Sequence, residues 1–420
     1  MKEKRILIIC SESEVHIIEK SVQSLRGYCV EIETAEKILT MGVEKYLSEM
    51  IELINNNSHR YDGIVGTRDM TSVFASVICE QTGKPSTSLD SLINCQNKYL
   101  SRQVQRKSVP ESTPGFWLDS HFLREFSMTP PFFVKPVRGN VSYLSQLVYS
   151  YEDLRVIIYK NTADLAQYNQ SFLEALHTAS HLSNQTNLET CNKFLCEESV
   201  DGVQLTVNGF VFEGDINFYG NARAVFMEDN LSFSHHEYPY YFSQPIEDKL
   251  QDIMYRLVQA LGLDNTFFNV EVRVDEENQR INIIEVNCRA AFQFAKTVEA
   301  VTGINLIQWL CNIAAGERPE EKTSDKSKKT FSYCVNFELR ETEDKEIVRI
   351  PMNTDLEEIE ILYPEVTVKN MVEAQTKLSD YRQNPLSYRY CILDVPGNSR
   401  QEISQKYADI IPRLGYEFKD

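Results

Sequence analysis

A chain of 420 residues exceeds what one hydrophobic core usually supports, and 42% hydrophobic with 25% charged residues, 16 glycines and 14 prolines describe a folded protein of two or three domains. A formal charge of −18, without a basic stripe or an RNA-reading aromatic motif, speaks against nucleic acid as a partner. The first apolar run, Ile6 to Cys10, is too short for a signal segment, no stretch reaches the ~20 apolar residues of a membrane span, and ten cysteines lie scattered without CxxC pairs. A cytoplasmic chain with free thiols and no membrane partner is the expectation.

"RILIIC" (5–10) reads as a buried parallel strand, followed by the helical "EVHIIEKSVQSLRGY", a strand "CVEIETA", a helix near 42–56, the strand "YDGIVGT" (61–67) and the helix "MTSVFASVICEQTG", stopped at Gly83, Lys84 and Pro85. This β-α alternation predicts an open α/β domain over 1–92. After its first strand stands "SESEVH" with no GxGxxG, which sets a NAD-dependent oxidoreductase aside.

From 93 the chain is helical and then irregular, before "PFFVKPV" and "SYLSQLVYS" suggest a strand pair and 153–184 a helix. The segment 193–220 is rich in strand formers and broken by turns at "DG", "NG" and "EGD", so an α+β unit follows the α/β one. A hairpin over 267–292, one helix over 294–316, a polar linker "ERPEEKTSDKSKKT" (317–330) and a mixed α/β domain over 331–420 complete the reading.

The chemistry concentrates in that hairpin. In "IIEVNCRAAF" (283–292) strand alternation puts Glu285, Asn287 and Arg289 on one face and Ile284, Val286 and Cys288 on the other. Glu271 stands in "FFNVEVRV", and the turn "DEENQR" would bring it to the same face as Glu285. Two carboxylates and an amide oxygen make a hard-oxygen site of the kind magnesium occupies in nucleotide chemistry, with manganese as the alternative ion. Upstream, Lys135 can hold its ammonium over a phosphate, with Arg138, Gly139, Asn140 and Ser142 forming a polar turn behind it. "LCEESVDGVQLTV" offers an acidic segment whose backbone could read an adenine edge. His235 and His236 are adjacent and point to opposite faces of a strand, so they would not share one ion; one of them with Tyr238 or Tyr240 could touch substrate. Cys196 and Cys288 have no identifiable base and are read as packing residues.

A lysine on a strand, an acidic hinge about sixty residues on, a glutamate on one strand and Glu-x-Asn-x-Arg on the next form an ordered pattern that resembles the ATP-grasp superfamily. Within it the chain is similar to carboxylate–amine ligases of the L-amino acid ligase type and, more distantly, to D-alanine–D-alanine ligase and biotin carboxylase. The resemblance implies an ATP-grasp fold over 93–316, with a lid subdomain at about 130–205. It implies that Lys98 and Lys135 contact ATP phosphates with Arg138 and Ser142, that Glu197, Glu198 and Val200 form the adenine hinge, and that Gln204 reaches the ribose. Glu271, Glu285 and Asn287 would hold magnesium, and Arg289 would face the transferred phosphoryl group or the substrate carboxylate. Gln204 stands where the family has a glutamate, Tyr143 where it often has a glycine, and "CRAAF" where it has a glycine-rich turn. The implied activity is ATP-dependent joining of a carboxylate to an amine through an acyl phosphate, on amino acids or other small metabolites. A substrate borne on a carrier protein or peptide, and a non-catalytic ATP-binding regulator of the same fold, stay open as alternatives, as does a homodimer.

Overall fold

The computed structural model describes residues 3–119, 128–140, 143–179, 186–228, 232–320, 330–381 and 386–419. The chain opens as expected with β1 (Lys4–Cys10), α1 (Glu12–Val22), β2 (Tyr28–Thr34), α2 (Ala35–Met41), α3 (Val43–Asn56), β3 (Gly63–Gly66) and α4 (Asp69–Thr82), the strands pairing in parallel in the order β2-β1-β3. Leu7 and Ile9 pack against α3 and α4, while Ile6 and Ile8 pack with Ile18 of α1. Both faces of β1 are therefore covered, which is why its sequence is an unbroken apolar run. α4 turns off closely behind β3 because Gly66 lacks a side chain: a Cβ there would lie 2.2 Å from the Ser72 nitrogen. Asp69 is thereby set at the carboxyl end of the sheet, where open α/β sheets bind ligands.

Helices α5 (Leu89–Gln96) and α6 (Lys98–Ser108) follow, divided by Asn97, whose side chain caps α6 by accepting the Leu100 N–H. A four-stranded antiparallel sheet, ordered β4-β7-β5-β6, comes next, from β4 (Phe116–Leu118), β5 (Phe132–Pro136), β6 (Gln146–Val148) and β7 (Phe194–Glu197). Between β6 and β7 runs the 28-residue helix α7 (Tyr151–Thr178). Its first half packs on this sheet through Leu154 and Leu165, and its second half, through Phe172, Ala175 and Leu176, joins the core of α3 and α4.

The rest of the chain is β8 (Val203–Phe212), β9 (Asp215–Phe226), β10 (Phe233–Tyr238), α8 (Gln244–Ala260), β11 (Thr266–Asp275), β12 (Arg280–Asn287), α9 (Ala295–Thr302), α10 (Leu306–Ala314), β13 (Tyr333–Glu341), β14 (Glu346–Arg349), α11 (Asn353–Leu362), β15 (Thr367–Asn370), β16 (Tyr388–Gly397), α12 (Arg400–Leu414) and β17 (Glu417–Lys419). Eight of these strands make one antiparallel sheet, β12-β11-β8-β9-β10-β13-β16-β15, and β14 pairs with β17. The segment from 331 thus extends the sheet that carries the hairpin.

One expectation changes. The single helix over 294–316 is two, because Gly303 adopts a left-handed φ of +75° and Asn305 caps a new start by accepting from Ile307 and Gln308. The polar stretch 317–330 lies mostly outside the described residues; its described start is tied down, with Glu317 on Lys4 at 2.7 Å, Arg318 on Asp215 at 2.8 Å and the Glu320 carbonyl accepting from Trp309. No helix among the described residues is long and apolar enough to cross a membrane.

Candidate active site

β11 and β12 pair with Glu271 directly opposite Glu285 and Asn269 opposite Asn287. The register slips between Glu271 and Val272, so Ile284 is the extra residue of a β-bulge. Ile281, Ile283, Val286 and Cys288 lie in the core under the sheet, whereas Ile284, expected among them, is half-buried outside it. The bulge frees the Ile284 carbonyl, which accepts from Arg102 Nη2 at 2.8 Å and Lys135 Nζ at 3.3 Å. Burial raises the Glu271 carboxyl, and the Glu285 charge facing it adds to this, bringing it to about 7 against the pull of Arg289, Lys135 and Lys98. Gln204 Nε2 donates to Glu271 Oε2 at 3.0 Å.

A side-chain amide ladder crosses three strands beside the carboxylates. Asn287 donates to Asn269 Oδ1 at 3.2 Å, Asn269 to Asn208 Oδ1 at 2.7 Å, and Asn208 to the Thr206 and Gly220 carbonyls. Because the Asn287 nitrogen is used in this way, its oxygen is left toward Arg289, whose Nη2 stands 3.5 Å away. Among the described residues no three His, Cys, Asp or Glu side chains gather as a ready-made metal cage. Two carboxylates and an amide oxygen are instead the sparse set that fits Mg2+ when phosphate and water complete its shell.

Cations crowd this face. Lys98, first residue of α6 and 7% exposed, pairs with Glu285 at 2.9 Å and donates to the Gly139 carbonyl at 2.5 Å. Lys135 on β5 and Arg102 on α6 share Glu197 of β7 at 2.6 and 2.7 Å. Burial alone would raise the Glu197 carboxyl; Arg102 and Lys135 outweigh it and hold it below the ordinary glutamate range. Burial conversely lowers the Lys135 ammonium, against the attraction of Glu197. Arg138 is 5% exposed, stacks 3.9 Å over Phe172 of α7 and donates to Asn169 at 3.0 Å, and its Nε is buried without a partner among the described residues. Ser142 lies outside the described residues.

Arg289 is fixed by Asp69, first residue of α4, at 2.6 Å through Nε and 3.4 Å through Nη2. Burial would raise the Asp69 carboxyl, and Arg289 outweighs it. A cleft of about 290 Å³ opens between these groups, lined by Asp69, Gln96, Arg138, Tyr168, Glu285 and Asn287 among others. Lys98, Lys135, Arg138, Glu197, Gln204, Glu271, Glu285, Asn287 and Arg289 are thus brought together. Arg102, Asp69, Asn208 and Asn269 were missed. Arg102 was within reach, since it stands four residues after Lys98 on one helix face; Asp69, 220 positions from its partner, carries no local signal.

The other expected residues sit elsewhere. Glu198 and Gly115 clasp each other, the Gly115 N–H donating to the Glu198 carboxylate and the Glu198 N–H to the Gly115 carbonyl, both at 2.9 Å, and Val200 lies in the irregular segment after β7. His235, His236 and Tyr238 are on β10, four strands from β12 and so about 19 Å along the sheet. The Tyr238 hydroxyl donates to the Tyr219 carbonyl. His236 is 2% exposed, between the rings of Phe233 and Phe294 and 3.9 Å from Glu338, and burial lowers it to about 4. His235 touches Phe337 and Ser234 and is also lowered by burial.

Comparison with curated proteins gives no match. Residues 128–298 match a family model described as an ATP-grasp domain. Among solved structures, L-amino acid ligase from Bacillus licheniformis superposes with a TM-score of 0.75 at 16% identity, covering 100% of both chains. Phosphoribosylglycinamide synthetase from Anaerococcus prevotii gives 0.64 at 16% identity, again over 100% of both chains. Biotin carboxylase from Campylobacter jejuni gives 0.64 at 14% identity, over 99% of this chain and 92% of that one. The chain therefore carries an ATP-grasp domain and has the ATP-grasp fold.

Proposed function

We propose that this protein is an ATP-dependent ligase that joins a carboxylate to an amine, releasing ADP and phosphate. The observation that carries the reading is one cluster of charges. Lys98, Arg102, Lys135, Arg138 and Arg289 gather around the in-register pair Glu271 and Glu285, Lys98 pairing with Glu285, Arg102 and Lys135 with Glu197, and Arg289 with Asp69. Arg138 alone of the five has no carboxylate partner among the described residues, and a buried cation left so is costly unless an anion completes the site.

A carboxylate cannot expel oxide at neutral pH, so it is first phosphorylated, and the amine then displaces phosphate from the acyl phosphate. The first step is phosphoryl transfer, in which a protein mainly positions groups and offsets spreading negative charge. Lys98, Lys135 and Arg138 supply that offset along the nucleotide, and the backbone of 197–200 faces its base. Glu271, Glu285 and Asn287 are the residues that would hold Mg2+, which when bound supplies Lewis-acid neutralisation of the phosphates. Arg289, held by Asp69, orients toward the reacting carboxylate and stabilises the oxyanion of the tetrahedral intermediate. The bulged Ile284 carbonyl keeps Arg102 and Lys135 in place. The L-amino acid ligase likeness supports amino acids as the first substrates to try.

The test is ADP release over pairs of the twenty L-amino acids and small carboxylates. ADP appearing only when both an acid and an amine are present is the expected result; steady ATP hydrolysis with neither speaks against ligation.

A further inference from the structure

Gln96, the last residue of α5, was not among the expected site residues, yet it lines the cleft together with Arg138. Its Nε2 donates to the Asp69 main-chain carbonyl at 2.7 Å. A carbonyl can only accept, so this bond fixes which end of the amide is nitrogen. The free atom is Oε1, an acceptor, buried and without a partner among the described residues. A buried acceptor left unmatched is unfavourable, so the position calls for an N–H or O–H from outside the protein.

The neighbouring oxygens are already engaged. Asp69 is taken by Arg289, Glu285 Oε1 by Lys98, and Asn140 Oδ1 by the Tyr168 hydroxyl at 2.7 Å. Among the described residues lining the cleft, the buried side-chain atoms left without a partner are one acceptor, Gln96 Oε1 on α5, and one donor, Arg138 Nε, on a cation. A cation suits a phosphoryl group, and a lone acceptor suits the N–H of the amine that the ligase reading requires.

We infer that Gln96 Oε1 receives the amine substrate, positioning it beside the phosphoryl group that Arg138 holds. The assignment rests on the ligase reading above and adds to it where the nucleophile binds and which atom selects it. Gln96 is a positioning residue: its Nε2 bond to Asp69 also ties it to the helix that holds Arg289.

The experiment uses the full chain and the pair of L-amino acids with the fastest ADP release in the screen above, the amine partner being identified from the product. Gln96→Met removes the acceptor at similar volume, and it should raise the KM of the amine at least tenfold while the KM values of ATP and of the carboxylate partner stay within twofold. Gln96→Glu, which keeps an acceptor but cannot donate to the Asp69 carbonyl, should raise the amine KM less than Gln96→Met does. A folded Gln96→Met with unchanged amine KM, or with all KM values shifted alike, overturns the assignment, because a purely structural role would not single out one substrate. Where that variant does not fold, methylammonium on the wild type decides: inhibition competitive against the amine and not against ATP supports the assignment, and absent or non-competitive inhibition removes it. A wild type that releases no ADP with any pair ends the ligase reading itself, an outcome separate from unmoved kinetics in an active enzyme.

Discussion

At the scale of single residues the site is a set of charges that hold one another until a ligand arrives. Glu285 has two neighbours of opposite effect, the Lys98 ammonium at 2.9 Å and the Glu271 carboxylate across the strand pair. Glu285→Gln keeps the shape and removes the charge, so ADP release should disappear while thermal unfolding stays near the wild type; normal turnover by that variant would dismiss the metal assignment. Asp69 fixes Arg289 from the start of α4, outside the β11–β12 hairpin. Asp69→Asn should lower kcat by about a hundredfold, of the size seen when one oxyanion donor is lost, with the KM of ATP little changed. Steady-state kinetics with both substrates saturating checks it, and a fall in ATP affinity of equal size would mean that Arg289 serves the nucleotide instead. Glu285, Asn287 and Arg289 could be read from the sequence because their spacing encodes a shared face. Asp69 could not be read with them, because a partner chosen in three dimensions leaves no period in one, whereas Arg102 shares a helix face with Lys98 four residues before it.

At the scale of elements, two features decide how firmly the site is held. The bulge at Ile284 turns a carbonyl toward two cations, and the amide ladder from Asn208 to Asn287 fixes the strand spacing beside the carboxylates. Helix α7 does something different: Leu154 and Leu165 hold the four-stranded sheet, and Phe172, Ala175 and Leu176 hold α3 and α4. One helix therefore ties the part carrying Lys135 to the part carrying Asp69. Phe172→Ala should cost about 3–5 kcal/mol, the usual size for emptying a fully buried aromatic site, and should loosen Arg138, whose guanidinium stacks on that ring. Urea unfolding measures the first effect and the KM of ATP the second. A loss below about 1 kcal/mol would show that the seam carries little of the stability.

At the scale of the whole molecule, the eight-stranded sheet carries a second buried charge cluster on β10 and β13, away from the Glu271–Glu285 pair. His236 is neutral there because burial lowers it from 6.5 to about 4, and Glu338 beside it is held low by Arg389, His236 and Arg340 although burial alone would raise it. The sign for both is the same. Above 6.5 His236 is neutral whether folded or not, and below 6.5 only the unfolded chain gains the proton, so stability falls as pH drops from 6.5 toward 4, by on the order of 3 kcal/mol from this histidine. Glu338 adds loss at more acid pH, where its paired carboxylate must be protonated. Urea midpoints at pH 8, 6 and 5 should decline in the wild type and decline less in His236→Phe; equal slopes would mean that the acid sensitivity lies elsewhere.

The sequence by itself determined what depends on neighbours along the chain: the buried parallel strands, the hairpin that faces Glu271 toward Glu285, and the shortness of its apolar runs. Periodicity, turn residues and strand alternation are local, so one sequence suffices to read them. Where the single helix after the hairpin breaks depended on the left-handed Gly303 and the cap at Asn305, a conformational choice that the apolar run does not announce. That strands after 331 extend the central sheet, that α7 bridges two cores, and that Gln96 leaves an unmatched oxygen in the lining of the cleft were decided by tertiary structure alone. Those outcomes come from hydrogen bonding and burial between residues tens to hundreds of positions apart, where the requirement is that every buried donor and acceptor be met, and only the folded chain reveals which ones are not.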